Sequence, residues 1–424
     1  MSFWIILKGN KTVYKRIVMR QPQQTEVAIA GAGIAGVTLA LALAQALKPG
    51  FAVTLCDPAL AAPPAADDRV SAITASARRM LEALKVWPEI AAHAQAVHRM
   101  EITDSKLADA VRPSFLEFGE AEDGAPLAHI VEHQALARAL RAAAEREGVR
   151  FLAKPAANFS QAGETIEVET GDGLLAARLL VAADGARSQL RARAKIQTVT
   201  TDYRQMGIVA TIGHERDHEG VAVQHFLPAG TFAILPLTGK RSSIVWVESP
   251  EEAQRLLALP PAGFHEELLR RFGRKLGDIE VLSKARAYPL MLSIARSFAG
   301  ERLALLGDAA HVVHPLAGQG LNLGLRDAAA LAECVSDAAR AGLDPGSPDV
   351  LRRYERWRRT DAVMLAGTTD GLNRLFSNDS DALKVVRDAG LGIVARLPKL
   401  QQFFAAEAAG TKGDVPRLMR GEVL

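Results

Sequence analysis

Cysteine is scarce in this chain. The 424 residues include 2, Cys56 and Cys334, too few and too far apart for a disulfide framework or a metal knuckle. That usage fits a reducing compartment. Long apolar runs are missing too, since no stretch reaches the roughly 20 residues that a membrane-spanning helix needs. The most apolar segment, Ile34 to Leu47, stops at Lys48-Pro49 and reads as a helix buried inside an α/β domain. Charge excess is small, a formal net of +3. With no basic run interleaved with aromatics, nothing suggests a nucleic-acid partner. G-x-S-x-G and the P-loop are absent, so serine-hydrolase and NTPase readings lack a foothold; the H-E-x-x-H spacing does occur, at His214-Glu215-Arg216-Asp217-His218. His214 and His218, with His225 nearby, carry metal-ligand side chains but no third ligand at compelling spacing. They read as a polar hairpin loop, and no metal is expected.

Acids are absent before Glu26, whereas Lys8, Lys11, Lys15, Arg16 and Arg20 precede it. The apolar piece Phe3–Leu7 is shorter than a signal-peptide core and lacks a small-residue cleavage site after it. Residues 1–25 are therefore expected to be a disordered tail, with Met19 as a second candidate start; a mitochondrial presequence is the competing reading.

What is present is a chain long enough for two or three domains. Glu26–Ala30 is a short apolar strand running into Gly31-Ala32-Gly33-Ile34-Ala35-Gly36. A helix over Ile34–Leu47 follows, then a strand over Phe51–Leu55 that ends at Cys56-Asp57. This is a βαβ unit of about thirty residues. In G-x-G-x-x-G the glycines allow a tight turn, close approach to a pyrophosphate and tight helix–strand packing. The helix N-terminus offers free N–H groups, and an acid after the second strand suits ribose hydroxyls. Gly31, Gly33, Gly36 and Asp57 are thus candidate dinucleotide ligands. A helix is expected over 75–85 and another over Gln134–Glu147, with strands at Val149–Leu152, Thr165–Thr170 and Leu179–Ala183. From Tyr203 to Val247 the pattern alternates with turns, as an antiparallel sheet does.

Two further strand-then-acid segments follow. Val181-Ala182-Ala183 leads to Asp184-Gly185, and Arg302–Leu306 leads to Gly307-Asp308-Ala309-Ala310-His311. The second continues through His314-Pro315 to Gly318-Gln319-Gly320-Leu321-Asn322, a glycine-rich turn that opens a helix near Gly320–Ala341. Its backbone N–H groups suit the pyrimidine edge of a flavin, which favours FAD over NAD. His311 and His314 resemble a ligand pair but fall inside this motif. The chain beyond Pro345 is mostly helical, and the Arg352–Arg359 stretch reads as a solvated face, with acidic lipid or a partner protein as the other reading.

In this order the three motifs resemble the para-hydroxybenzoate hydroxylase superfamily of flavin monooxygenases. The run His314–Asp327, Asp68-Arg69 with Ser71–Leu84, and Gly230–Leu237 are most similar to its ubiquinone-biosynthesis hydroxylases. The resemblance implies a Rossmann-type FAD domain interleaved with an antiparallel β-sheet substrate domain and closed by C-terminal helices. On that basis residues 26–100, 128–200 and 297–344 form the FAD domain, 101–127 and 201–296 the substrate domain, and 345–424 a helical region. It also implies that Gly31, Gly33, Gly36 and Asp57 hold the ADP half of FAD. Arg69 lies near the ribityl or ring part, Asp184 and Gly185 serve FAD and NAD(P)H, and Gly307 and Asp308 bind the ribityl side. Gly318, Gly320, Leu321 and Asn322 face the flavin ring, with Pro315, Gly320 and Leu321 as the catalytic floor. His133 stands where relatives carry another cofactor contact; it reads equally as a helix-start residue.

The implied reaction is hydroxylation of a polyprenylated phenol by O₂ through a flavin C4a-hydroperoxide, with NAD(P)H as transient donor or a reductase in its place. A flavin hydroxylase or epoxidase of another aromatic or lipid, and a non-catalytic flavin-bound subunit of a biosynthetic complex, are the alternatives. Halogenation lacks its W-x-W-x-I-P signature. Such a substrate suggests a cytoplasmic enzyme peripheral to a bacterial inner membrane, with the mitochondrial matrix as alternative. Leu391–Leu397 with Phe403-Phe404 suits a headgroup boundary, or else a terminal helix packed on the FAD domain.

Overall fold

The computed structural model describes residues 22–62, 67–104, 116–119, 124–171, 173–227, 229–315, 318–376 and 413–424. The basic segment up to residue 21 and the apolar segment 391–404 lie outside the described residues.

The first strand, Gln23–Ala30, is the centre of the fold. It pairs in parallel with Gly173–Ala182 on one side and Val53–Cys56 on the other. Leu303–Leu305 and Arg150–Leu152 extend the parallel sheet outward on those two sides. The strand begins at Gln23, so residues 23–25 belong to the sheet and not to a disordered tail. Gln23, Gln24 and Thr25 have no strong strand pattern of their own; they are ordered by Leu175, Ala176 and Ala177 opposite them. Thr25 Oγ1 also donates to Ala52 O at 2.9 Å.

Helix Ile34–Ala46 is apolar on nearly every side, as a helix enclosed by other elements must be. It packs against helices Gln319–Arg340 and His133–Arg146. Each leucine it fully buries contributes about 1.5–3 kcal/mol relative to exposure. Helix His133–Arg146 starts at His133 itself, with Glu132 as its N-cap.

A second, 9-stranded sheet forms around Thr198–His214, which pairs antiparallel with Arg286–Ala295, Arg241–Glu248 and Ile279–Val281. Ile208, Ile212, Phe232 and Trp246 make its core, covered by helices Pro250–Leu257 and Pro261–Phe272. One of its pairings is parallel, Val221–Phe226 with Arg99–Asp104. The expected antiparallel sheet is therefore mixed. Parallel neighbours need a long crossover, and here the chain passes through the first lobe between the two strands. His214, His218 and His225 bond to Ser242, Leu237 O and Thr103 respectively. Among the described residues no cluster suits a metal ion, and Cys56 and Cys334 are buried free thiols.

The last long helix, Pro348–Phe376, corrects one expectation. Arg352, Arg356 and Arg359 are exposed, but Arg358 is wholly buried and bonded to Asp327. Helical periodicity turns one arginine of a basic run toward the core, where a carboxylate from the neighbouring helix receives it. No described helix is long and apolar enough to cross a membrane.

A small sheet of Val70–Thr74, Ala94–Val97 and Ala128–Glu132 joins the lobes. Its buried His129 packs edge-on against Trp87, with Arg78 at 3.4 Å. Burial first, then the Arg78 charge, pushes His129 down to about 4. The neutral ring is the folded form, so this stability is complete above the unfolded value near 6.5 and is lost as pH falls toward 4. Denaturant unfolding at pH 7 and pH 5 should show a loss of about 2 kcal/mol from this residue. In His129→Gln that part of the pH dependence should vanish; an unchanged slope refutes the assignment.

Candidate active site

Parallel sheets bind ligands at the carboxyl ends of their strands. Here the ends of four neighbouring strands carry the sequence motifs: Gly307-Asp308 after Leu305, Asp184-Gly185 after Ala182, Gly31 after Ala30, and Asp57 after Cys56. Segments scattered over the chain thus meet along one edge of the sheet.

The three glycines of the first turn are required for different reasons. Gly31 has φ +114°, and a Cβ there would sit 2.1 Å from Ala183 O. A Cβ on Gly36 would sit 2.2 Å from Gly31 O. Those two glycines serve packing. Gly33 has nothing within 4 Å of a Cβ, so it leaves open space in front of the helix. That helix end has no side-chain cap and no acid in its first turn, leaving N–H donors and the positive end of the dipole for an anion. A pyrophosphate fits this cradle.

Asp57 accepts from Ala32 N at 2.7 Å and Ala59 N at 2.8 Å. It ties the second strand to the glycine turn while its remaining lone pairs can take hydroxyls. Asp184 caps the turn Gln189–Arg193 through one oxygen, at 2.8 Å from Gln189 N; its Oδ1 is buried without a partner. Gly185, with φ +82°, completes this turn. Arg191, which sequence reasoning missed, donates to Ala309 O at 2.7 Å and Ala186 O at 2.9 Å, joining the second and third motif loops. Its only sequence signal is its place three residues after Ser188.

Asp308 is exposed to the cleft, yet surrounding protein pushes its carboxyl above the usual range, opposed by His311 and Arg69. Arg69 forks onto Asp67 at 2.8 and 2.7 Å. His133 is half-buried and donates its backbone N–H to Arg69 O at 3.0 Å. Burial, then Arg69, lowers its ring from the ordinary histidine value, so the ring stays neutral beside the Arg69–Asp67 pair. Sequence reasoning named Arg69 and His133 but not Asp67, their shared partner.

Helix Gln319–Arg340 presents a second open N-terminus, reached through Gly318 at φ +64°. A Cβ on Gly318 would press on Ala72 at 3.1 Å. Gly318 N donates to Pro315 O at 3.0 Å, which leaves Pro315 exposed and Gly320 and Leu321 half-buried at the mouth of the turn. The Asn322 side chain does not point into the cleft. It donates to Ala72 O at 2.7 Å and accepts from Thr74 N at 3.2 Å, because a buried amide must satisfy both ends. Asn322 thereby holds the strand Val70–Thr74 that follows directly on Arg69.

Beneath this edge lies a charged knot. Asp327 accepts from His311 Nε2 at 2.5 Å, from Arg358 Nε at 2.8 Å and from Gly307 N at 3.2 Å. Two of its partners hold its carboxyl below the usual range against the opposing effect of burial. Tyr354 donates to Leu305 O at 2.7 Å beside it.

The family described as FAD binding domain matches residues 24–366. The ubiquinone hydroxylase UbiL of Rhodospirillum rubrum is 41% identical over 402 residues, 93% of this chain and 92% of that protein. The 3-demethoxyubiquinol 3-hydroxylase of Escherichia coli is 35% identical over 390 residues, 90% and 97% of the two chains. The chain belongs to the ubiquinone-biosynthesis hydroxylase family of FAD-dependent monooxygenases. Its fold matches that of p-nitrophenol 4-monooxygenase from Pseudomonas putida, with a TM-score of 0.75 at 18% identity over 91% of this chain and 98% of the other. The hydroxylase binds FAD, and the open cradles before Ile34 and Gln319 fit its phosphates and ring.

Two outcomes test this geometry. Gly33→Val should fold with a melting temperature near the parent's and lose FAD, whereas Gly36→Val should fail to fold; a Gly33→Val protein that retains stoichiometric flavin refutes the cradle. Arg358→Ala leaves Asp327 short of its buried cation and should cost about 3–5 kcal/mol in denaturant unfolding. A cost near zero would show that the knot contributes nothing.

Proposed function

We propose that the enzyme hydroxylates the aromatic ring of a polyprenylated phenol in ubiquinone biosynthesis, with O₂ as oxidant. One observation carries this reading: the flavin-site motifs converge on one sheet edge in a chain 41% identical, over 93% of its length, to a ubiquinone hydroxylase. When bound, FAD supplies the oxygen activation, passing one atom of O₂ to an electron-rich ring and the other to water.

The chain's own residues hold and enclose. Gly31, Gly33 and Gly36 with the helix N-terminus take the pyrophosphate, and Asp57 takes the adenosine ribose. Gly307 and Asp308, with Asp184 and Gly185 adjacent, take the ribityl side, and the raised carboxyl of Asp308 suits a group that shares hydroxyl protons. Arg69, held by Asp67 and flanked by His133, places a cation by the ribityl and ring part. Gly318, Gly320, Leu321 and Pro315 form the floor under the ring, while Asn322 supports it from behind. The second sheet supplies the wall that excludes water from the reacting ring.

NAD(P)H is the proposed donor, docking transiently in the cleft, because the single G-x-G-x-x-G is taken by FAD. A polyprenyl tail is nearly insoluble in water, so the enzyme works against a membrane surface or within a biosynthetic complex. Incubating the FAD-loaded protein with a short-chain prenylphenol, NAD(P)H and isotopically labelled O₂ should yield a product carrying a single labelled oxygen. No labelled product, and no phenol-stimulated donor oxidation, would refute the proposal.

A further inference from the structure

The cleft between the lobes holds a set of charges that the cradles leave unexplained. The chain from Leu282 to Tyr288 leads into strand Arg286–Ala295, and its residues alternate in exposure. Ala285 and Ala287 pack onto the core of the second sheet. Lys284, Arg286 and Tyr288 therefore share the opposite face, since alternate residues of an extended chain point the same way. They border one narrow groove with Val209, the partner of Arg286 on the neighbouring strand, and with Asp68 and Arg69 from the first lobe. Three cations converge there against one carboxylate.

Both lobes build this convergence. Arg69 uses Nε and Nη2 on Asp67, which leaves Nη1 for a ligand. The hydrogen bond to Asp67 first holds its guanidinium charged; burial opposes this, and the Asp67, Tyr288 and Asp308 charges add to it. The groove thus lies within electrostatic reach of the acid on the ribityl side. Lys284 is exposed and has no hydrogen-bond or ion-pair partner among the described residues. Like charges gathered without a counter-ion repel one another, and a cleft lined by one sign concentrates ligands of the other. Cations on an exposed strand edge also deter pairing with foreign strands. Pro289 already does that on this strand, and an edge role calls for no third cation from the other lobe.

We propose that this groove is the docking site of the electron donor, and that the donor it selects is the 2′-phosphorylated dinucleotide, NADPH. Arg286 takes the pyrophosphate, Lys284 takes the 2′-phosphate, and Tyr288 stacks on the nicotinamide beside Arg69. This rests on the reading above that a nicotinamide dinucleotide is the donor, and adds where it binds and which form is preferred. The chain sets the order of contacts. Arg286 and Tyr288 are two residues apart, roughly 7 Å along an extended backbone, and Lys284 lies two residues further from the flavin side. A dinucleotide laid along them points its nicotinamide inward and its adenosine outward. The C4–H bond of the dihydronicotinamide breaks, and its hydride carries two electrons to the oxidised flavin. The donor leaves as NADP⁺, and one solvent proton completes the reduced flavin. Contacts to side chains of an open groove need no second G-x-G-x-x-G.

The test mixes FAD-loaded parent, Lys284→Ala and Arg286→Ala with NADPH or NADH, without oxygen and with 2-(3-methylbut-2-enyl)phenol present. Loss of flavin absorbance over a range of donor concentrations gives a Kd and a limiting rate for each donor. The parent should bind NADPH more tightly than NADH. Lys284→Ala should raise the Kd for NADPH about 10-fold or more and leave that for NADH alone, whereas Arg286→Ala should raise both by about that factor. The change should fall on Kd and not on the limiting rate, with FAD content and melting temperature kept. Binding of NADP⁺ and NAD⁺ to the oxidised protein, read by saturation-transfer NMR, should show the same pattern without turnover. Unchanged Kd values in both variants overturn the groove as the donor site. Equal affinity of the parent for the two donors overturns the 2′-phosphate assignment. A parent whose flavin neither dinucleotide reduces overturns the donor reading and this inference together, an outcome distinct from failure of the groove alone.

Discussion

Asp327 is the acid on which the flavin edge depends. It is fully buried in a helix, yet it receives an imidazole from the motif loop, a guanidinium from the last long helix and the backbone N–H of Gly307. A carboxylate so enclosed is stable only with its charge neutralised and its lone pairs filled. Once those partners are in place, the loop bearing Asp308, helix Gln319–Arg340 and helix Pro348–Phe376 can no longer shift independently. The Gly307 turn is further clamped where Gly324 comes within van der Waals distance, so that a Cβ on Gly324 would meet Gly307 Cα at 3.4 Å.

Above the knot the chemistry is one of exposed dipoles. Two helices begin at glycine with no capping side chain and no acid in the first turn, which in an isolated protein is a local deficit of hydrogen bonds. The deficit falls where the strand ends open. The chain keeps its anionic side chains close by but engaged: Asp57 and Asp184 are bonded to backbone N–H groups, and Asp67 to Arg69. Cofactor binding then adds partners to donors already aimed, with little rearrangement to oppose it.

The two lobes share strand Arg286–Ala295, which pairs with the core strand of the second sheet on one edge and with His311-Val312 on the other. That arrangement ties the second sheet to the loop that leads into Pro315, with no hinge between them. The irregular stretch of the second sheet, a register shift between Asp202 and Gln205, lies on this same strand pair.

The local signals were strong enough to read in one dimension. Glycine spacing, strand-end acids and the 2- and 3.6-residue periods depend on near neighbours, so the first βαβ unit, helix Gln319–Arg340 and the strand-end places of Gly31, Asp57, Asp184 and Asp308 were legible directly. The family-wide resemblance supplied the cofactor. What no spacing could reveal was partnership across the fold. Arg358 looked like one more solvated arginine because its acid lies thirty-one positions away on another helix; Asn322 looked like a ring contact because the strand it supports is 250 positions distant in sequence. The parallel pair inside the second sheet and the strand start at Gln23 depended likewise on which chain segment arrived alongside. The sequence by itself determined the elements and the chemistry of each turn, since these follow from backbone sterics and short-range periodicity. Only the tertiary structure decided which side chains are buried together, because burial and charge pairing are properties of the packed chain.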